Sequence, residues 1–227
     1  MTDKKVNGRA VLLDFDGTLV DSITVLFELY KSFLSSHGIE GTEEEFSELN
    51  GPSLTEVAAR LKKKYAFPES ESEILNYYVT EILKAYNDRV EAMPGAAGVL
   101  ETLSAGGWRL AIVTSNKKSI VDVVLKRLGL ENIFEEIITG DDVEKSKPEP
   151  EIYLKAIRRL GLPPAATVAV EDSYNGVMSA SRAGCRVIGI SPENDGEKLI
   201  DAGAAATIIS LKELPETASK LVCPESA

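Results

Sequence analysis

Asp14 and Asp16 stand one residue apart at the end of an apolar run, in the segment AVLLDFDGTLVDS that spans residues 10 to 22. A run as short as Ala10-Val11-Leu12-Leu13, closed by Gly17, predicts a buried strand rather than a helix. Side chains alternate along a strand, so the two carboxylates point to the same side. Like charges that close repel. Two readings follow: solvated acids on a surface turn, or a pair offset by a metal ion, a shared proton or a cationic substrate. The carboxyl end of a central parallel strand is where open α/β sheets bind ligands.

Three later segments have the same character. In LAIVTSNKKS, residues 110 to 119, a predicted strand ends at Thr114, and Ser115-Asn116 leads into a helix carrying Val121, Val124 and Leu125 on one face. Hydroxyls and free N–H groups at such a turn suit an anion such as phosphate, and Ser and Asn also suit a plain helix cap. In KSKPEPEIY, Lys147 precedes Pro148 and Pro150, which bracket a helix start. Proline holds the residue before it extended and so aims Lys147 away from that helix. There it is either a surface lysine or a point charge holding a phosphate beside a carboxylate. In TVAVEDSYNGVMSASRAG, a predicted strand ends at Glu171-Asp172 and Ser173 starts a helix rich in Ala and Gly. The two acids either cap that helix or share an ion with Asp14 and Asp16, and hard oxygen ligands favour Mg²⁺.

The elements that must position these residues follow a rhythm. Short apolar runs at Ala10–Asp14, Arg109–Thr114, Glu136–Thr139, Thr167–Glu171, Arg186–Ile190 and Ala206–Ser210 alternate with helical stretches. That pattern predicts a parallel sheet covered on both faces. It breaks between Asp21 and about Val90, where no strand is evident and helices are predicted over Ile23–Ser36, Leu54–Tyr65 and Ile74–Arg89. Asn50-Gly51-Pro52-Ser53 separates the first two, and Pro94-Gly95 marks the return. The expected fold is therefore α/β: a Rossmann-like core from residues 1–20 and 91–227, with a small helical cap, residues 21–90, inserted after the first strand. An insert at the mouth of the sheet is placed to act as a lid, with hinges at Val20–Ser22 and Ala92–Gly95.

Composition limits the alternatives. A length of 227 residues, with 44% hydrophobic and 27% charged residues, is that of an ordinary globular domain. A net charge of -11 argues against a nucleic-acid surface. No apolar stretch is long enough to span a bilayer, and MTDKKVNGRA has no signal-peptide core. Cys185 and Cys223 have neither metal-type spacing nor a disulfide framework, which makes a reducing cytoplasm the expected location. The single histidine, His37, has no GxSxG turn to serve and reads as structural or surface. The tail Pro224–Ala227 is expected to fray.

In order and character the four segments resemble the motifs of the haloacid dehalogenase superfamily of phosphohydrolases, most of all its phosphoglycolate-phosphatase and β-phosphoglucomutase branch. DFDGTLVDS matches the first motif, Thr114 the second, Lys147 the third and Glu171-Asp172 the fourth, and the helical insert falls where the family places its cap. The resemblance implies Asp14 as nucleophile and Asp16 as general acid and base. It implies Mg²⁺ on the Asp14 carboxylate, the Asp16 carbonyl and Asp172, with Glu171 contributing directly or through water. Thr114, Ser115, Asn116 and Lys147 would hold the phosphate. Dehalogenases lack the second aspartate because halide leaves without a proton, so Asp16 favours phosphate esters.

A small phosphorylated metabolite, such as a sugar phosphate or phosphoglycolate, is the partner implied. The cap turn carrying Asn50 and Ser53, with Arg60 beyond it, is the stretch expected to face the substrate, Arg60 meeting a second anionic group or lying on a solvated helix face. β-Phosphoglucomutases carry a cap histidine shortly after the first motif. This chain has Leu26 and Phe27 there, which favours hydrolysis over mutase chemistry. A binding or regulatory module on the same fold is the non-enzymatic alternative. A monomer or weak dimer is expected.

Overall fold

The computed structural model describes residues 8–192 and 196–222; Cys223 and the Pro224–Ala227 tail lie outside them. Six parallel strands form the main sheet: β1 (Arg9–Leu13), β4 (Trp108–Val113), β5 (Glu136–Ile138), β6 (Thr167–Glu171), β7 (Arg186–Ile190) and β8 (Ala206–Ile208). Their spatial order is β5-β4-β1-β6-β7-β8. The first strand of the chain is thus central, with Leu12 opposite Ala111 on one side and Ala169 on the other. Strand order reverses on either side of β1, which places the ligand crevice at the carboxyl ends of β1, β4 and β6.

Alternation along these strands divides the core. Val11 and Leu13 of β1, Leu110 and Ile112 of β4, and Val168 and Val170 of β6 face one layer. Helices α5 (Ala96–Ala105), α6 (Lys118–Leu128) and α10 (Leu214–Leu221) cover it through residues such as Leu100, Val124 and Leu214. Ala10 and Leu12, Ala111 and Val113, and Ala169 face the other layer, under α7 (Glu151–Leu160), α8 (Tyr174–Arg182) and α9 (Glu197–Asp201). Each fully buried Leu, Ile or Val here contributes about 1.5–3 kcal/mol. The small alanines in the centre let α7 and α8 approach the sheet closely.

A two-stranded antiparallel ribbon, β2 (Val20–Asp21) with β3 (Glu91–Ala92), joins the sheet to the helices between them. This ribbon was not anticipated, because two-residue strands carry no periodicity. Four helices follow β2: α1 (Ile23–Ser36), α2 (Glu43–Leu49), α3 (Leu54–Tyr65) and α4 (Glu71–Asp88). The helix α2 was not anticipated. It is one short stretch, EEEFSEL, with no fully buried residue, fixed by Thr42 accepting from the Glu45 N–H and by three glutamates at its positive N-terminus. Phe33, Leu61, Ile74 and Ile82 pack these helices together, and α4 also packs against α6 of the sheet layer. Among the described residues no helix is long and apolar enough to cross a membrane.

Candidate active site

Four chain segments meet at the carboxyl ends of β1, β4 and β6. Asp14 and Asp16 follow β1, and Gly17 turns the chain with φ 73° so that its N–H donates to the Val20 carbonyl at 2.9 Å. A Cβ at Gly17 would lie 2.3 Å from the Asp172 carboxylate, so glycine is what lets the β1 and β6 loops touch.

Lys147 is the centre of the arrangement. Its Nζ donates to Asp14 Oδ1 at 2.6 Å, to Glu171 Oε1 at 2.6 Å and to the Val113 carbonyl at 3.1 Å. The Lys147 side chain is 2% exposed and Glu171 is fully buried, so this is no surface lysine. Burial opposes the ammonium charge, but Asp14 and Glu171 outweigh it and lift its pKa above the ordinary 10.5. Tyr153 of α7 also donates to Glu171 Oε1 and stays a phenol, because burial and then Glu171 hold its hydroxyl well above its usual range.

The acids remain under-compensated. Asp14, Glu171 and Asp172 each offer a carboxylate oxygen within 4.8 Å of the others, against one lysine. Burial first and Glu171 second hold the Asp14 carboxyl well above the usual carboxylate range, with Lys147 pulling the other way. The same two causes push Asp172 up to about 7. Among the described residues Glu171 Oε2 and Asp172 Oδ1 are buried without a hydrogen-bond partner. Orphaned acceptors and unbalanced negative charge are what a hard cation relieves, so the residues present fit a metal ion. Gly176 of α8 keeps this cradle open: a Cβ there would sit 1.9 Å from Glu171 Oε2.

Asp16 is held apart from this cluster. Ser22 donates to its Oδ1 at 2.8 Å, Tyr86 of α4 donates to the same oxygen, and Asn116 Nδ2 donates to Oδ2 at 3.0 Å. Three elements thus fix one carboxylate. Ser22 precedes α1 but makes no side-chain cap, its hydroxyl being committed to Asp16.

The other expected residues divide. Thr114 is buried and lines the cavity, its Oγ1 accepting from the Asn116 N–H at 3.0 Å. Neither Ser115 nor Asn116 caps α6, whose N-cap is Lys117. Ser115 Oγ instead donates to the Gly51 carbonyl at 2.5 Å, and the Asn116 amide holds Asp16, so both side chains tie elements together around the cavity. Asn50 reaches the site, its Nδ2 donating to Asp172 Oδ2 at 3.3 Å while its carbonyl accepts from Asn175. Ser53 does not: it caps α3, accepting from the Glu56 N–H at 3.3 Å. Arg60 is exposed and donates to the Glu48 carbonyl at 3.4 Å, with no place on the cavity wall. The buried face of α3 is carried by Val57, Ala58 and Leu61, and Arg60 falls outside it. His37 is likewise remote, between Phe33 and Glu69.

Tyr86, Tyr153 and Ser22 were missed. The two tyrosines sit at helical core spacing and read as packing. Ser22 carried a faint signal, six residues after Asp16 in the same motif.

Residues 11–190 match the family model for haloacid dehalogenase-like hydrolases. The chain belongs to this family. It is 32% identical to the phosphorylated carbohydrates phosphatase of Thermotoga maritima, over 88% of this chain and 94% of that one. It is 32% identical to hexitol phosphatase A of Escherichia coli, over 84% and 87%. The crystal structure of CbbY from Rhodobacter sphaeroides in complex with phosphate superposes with a TM-score of 0.77 at 28% identity, over 91% of this chain and 96% of that one. As a haloacid dehalogenase-like hydrolase with phosphatases for relatives, this chain is a phosphoric monoester hydrolase.

Proposed function

We propose that this chain is a Mg²⁺-dependent phosphatase that cleaves a small phosphate monoester through an aspartyl phosphate on Asp14, with residues 21–90 acting as a cap on a core of residues 1–20 and 91–227. The observation that carries the reading is the buried contact of Lys147 Nζ with Asp14 Oδ1 at 2.6 Å, beside the unbalanced Glu171 and Asp172. A carboxylate cannot attack an anionic phosphoryl group until their repulsion is offset, and this cluster is built to supply the offset.

In the first step an Asp14 carboxylate oxygen bonds to phosphorus and the bond from phosphorus to the alcohol oxygen breaks. Asp16 in its acid form passes a proton to that leaving oxygen. In the second step water attacks the same phosphorus, Asp16 takes its proton, and phosphate and free Asp14 result. The Lys147 ammonium offsets charge on Asp14 and the phosphoryl oxygens throughout, and Thr114 orients them, with Ser115 and Asn116 shaping the same turn. Mg²⁺, held by the Asp14 and Asp172 carboxylates and the Asp16 carbonyl, with Glu171 direct or through water, would supply Lewis-acid charge to the phosphoryl group.

Hydrolysis is favoured over mutase chemistry because Leu26, not a histidine, lines the cavity near the first motif, and the single histidine is bound to Glu69. Sugar phosphates and phosphoglycolate belong to the proposed substrate class, as do phosphorylated alcohols with less polar bodies. The buried free thiol of Cys185 suits a reducing cytoplasm. Rapid acid quench with substrate should leave a phosphoryl mass on the peptide that contains Asp14, absent in Asp14→Asn. A phosphoryl mass on any other peptide would refute the assignment.

A further inference from the structure

The cavity above Asp14 has a volume of about 90 Å³, and its two ends differ in chemistry. The floor is polar and already committed. Lys147 serves Asp14 and Glu171, Asn116 holds Asp16, and Ser115 bonds Gly51. The wall supplied by α1 to α4 is apolar: Leu26, Phe46, Leu49, Leu54, Val57 and Ile82. Tyr30 also lines it, but its hydroxyl donates to Glu45 at 2.5 Å. Among the described residues the buried Tyr78 hydroxyl on that wall is without a hydrogen-bond partner, on a residue 4% exposed, and Asn50, which also lines the cavity, commits its Nδ2 to Asp172. Among the described residues no arginine or histidine lines the cavity, and the one lysine there belongs to the floor.

These walls bear on what the phosphate is attached to. A hexose or hexitol body would bury several hydroxyls against carbon, and each unpaired one costs roughly tenfold in affinity. A second phosphate or a carboxylate would find no cation beyond Lys147. An apolar body loses nothing on that wall and gains by leaving water. We propose, resting on the phosphatase reading above, that the cap wall selects phosphate monoesters whose alcohol is small, mainly apolar and free of a second charge, with room for a single polar atom at Tyr78.

The test compares kcat/KM for benzyl phosphate, glucose 6-phosphate, a hexitol phosphate and phosphoglycolate. All are esters of simple alcohols, so a better leaving group does not explain a preference for the benzyl ester. The expected result is a kcat/KM for benzyl phosphate at least tenfold above each of the others, carried mainly by KM. Benzylphosphonate, which cannot be hydrolysed at the ester position, should bind more tightly than inorganic phosphate by calorimetry.

Leu49→Asn and Leu54→Gln, two half-buried wall positions, should each raise KM for the benzyl ester severalfold while the KM for glucose 6-phosphate holds or falls. Circular dichroism reports whether either variant is folded, and the wild-type ranking stands without them. Preference for the sugar esters or for phosphoglycolate would overturn this proposal and leave the phosphatase intact. Release from none of the esters, with no benzylphosphonate binding, would overturn both.

Discussion

Lys147 Nζ lies 2.6 Å from Asp14 Oδ1 with both side chains buried, although 133 residues separate them in the chain. Removing one partner of a buried pair leaves the other uncompensated, at a cost of about 3–5 kcal/mol. Lys147→Met should therefore lose at least 100-fold in kcat and several degrees in Tm, measured by phosphate release and thermal unfolding. Unchanged turnover in a folded variant would remove Lys147 from the mechanism.

Asp16 should be separable from metal binding. General acid–base help is worth about 10²–10⁴-fold, so Asp16→Ala should lose turnover in that range while Mg²⁺ still raises its Tm. Wild-type turnover in this variant would contradict the acid and base role.

Metal stabilisation should depend on pH in a defined direction. Asp172 is pushed up to about 7 by burial and then by Glu171, from an ordinary 3.8, and Asp14 is raised as well. The metal-free folded state thus holds protons that the unfolded chain releases. Those groups cost the metal-free protein stability as pH rises from about 4 to 7, and a bound cation offsets that cost. Thermal melts should show a larger Tm gain from Mg²⁺ at pH 8 than at pH 5.5. An equal gain at both would mean that the acidic cluster does not hold the ion.

How much of this was readable in the sequence depends on how local each cause is. β1, β4 and β6 were legible because each is a short apolar run closed by polar residues, which brought Asp14, Thr114 and Glu171-Asp172 with them, and Lys147 was legible from the prolines that follow it. Helices α1 and α3 were legible from apolar spacing and flanking breaks. Tyr86 and Tyr153 were not, because their roles rest on carboxylates 70 and 18 residues away and nothing near them marks it. Arg60 shows the converse: its charge suggested a ligand, but the rotation of α3 decides where it points. Ser115 and Asn116 were recognised as special and given the phosphate, whereas their side chains chiefly bind Gly51 and Asp16.

The single histidine offers a clean probe of the packing among helices α1 to α4. The Phe33 carbonyl first, and Glu69 second, raise the His37 pKa above 6.5, and the same contact lowers Glu69. The charged His37 favours the folded state below its unfolded pKa, and that contribution fades as pH rises through the folded value. Glu69 adds its share above its own unfolded pKa and loses it as pH falls. The C2 proton resonance should titrate above 6.5 and move down, without reaching the free value, in Glu69→Gln. An unshifted midpoint in the wild type would mean that these contacts do not persist in solution.

Magnesium-dependent phosphate release, measured for wild type and Asp14→Asn over a panel of small phosphate esters, tests the central claim most directly. The expected result is release that requires Mg²⁺ in the wild type and is lost by several orders of magnitude in the variant. Release that persists without a divalent ion, or in Asp14→Asn at the wild-type rate, would contradict it.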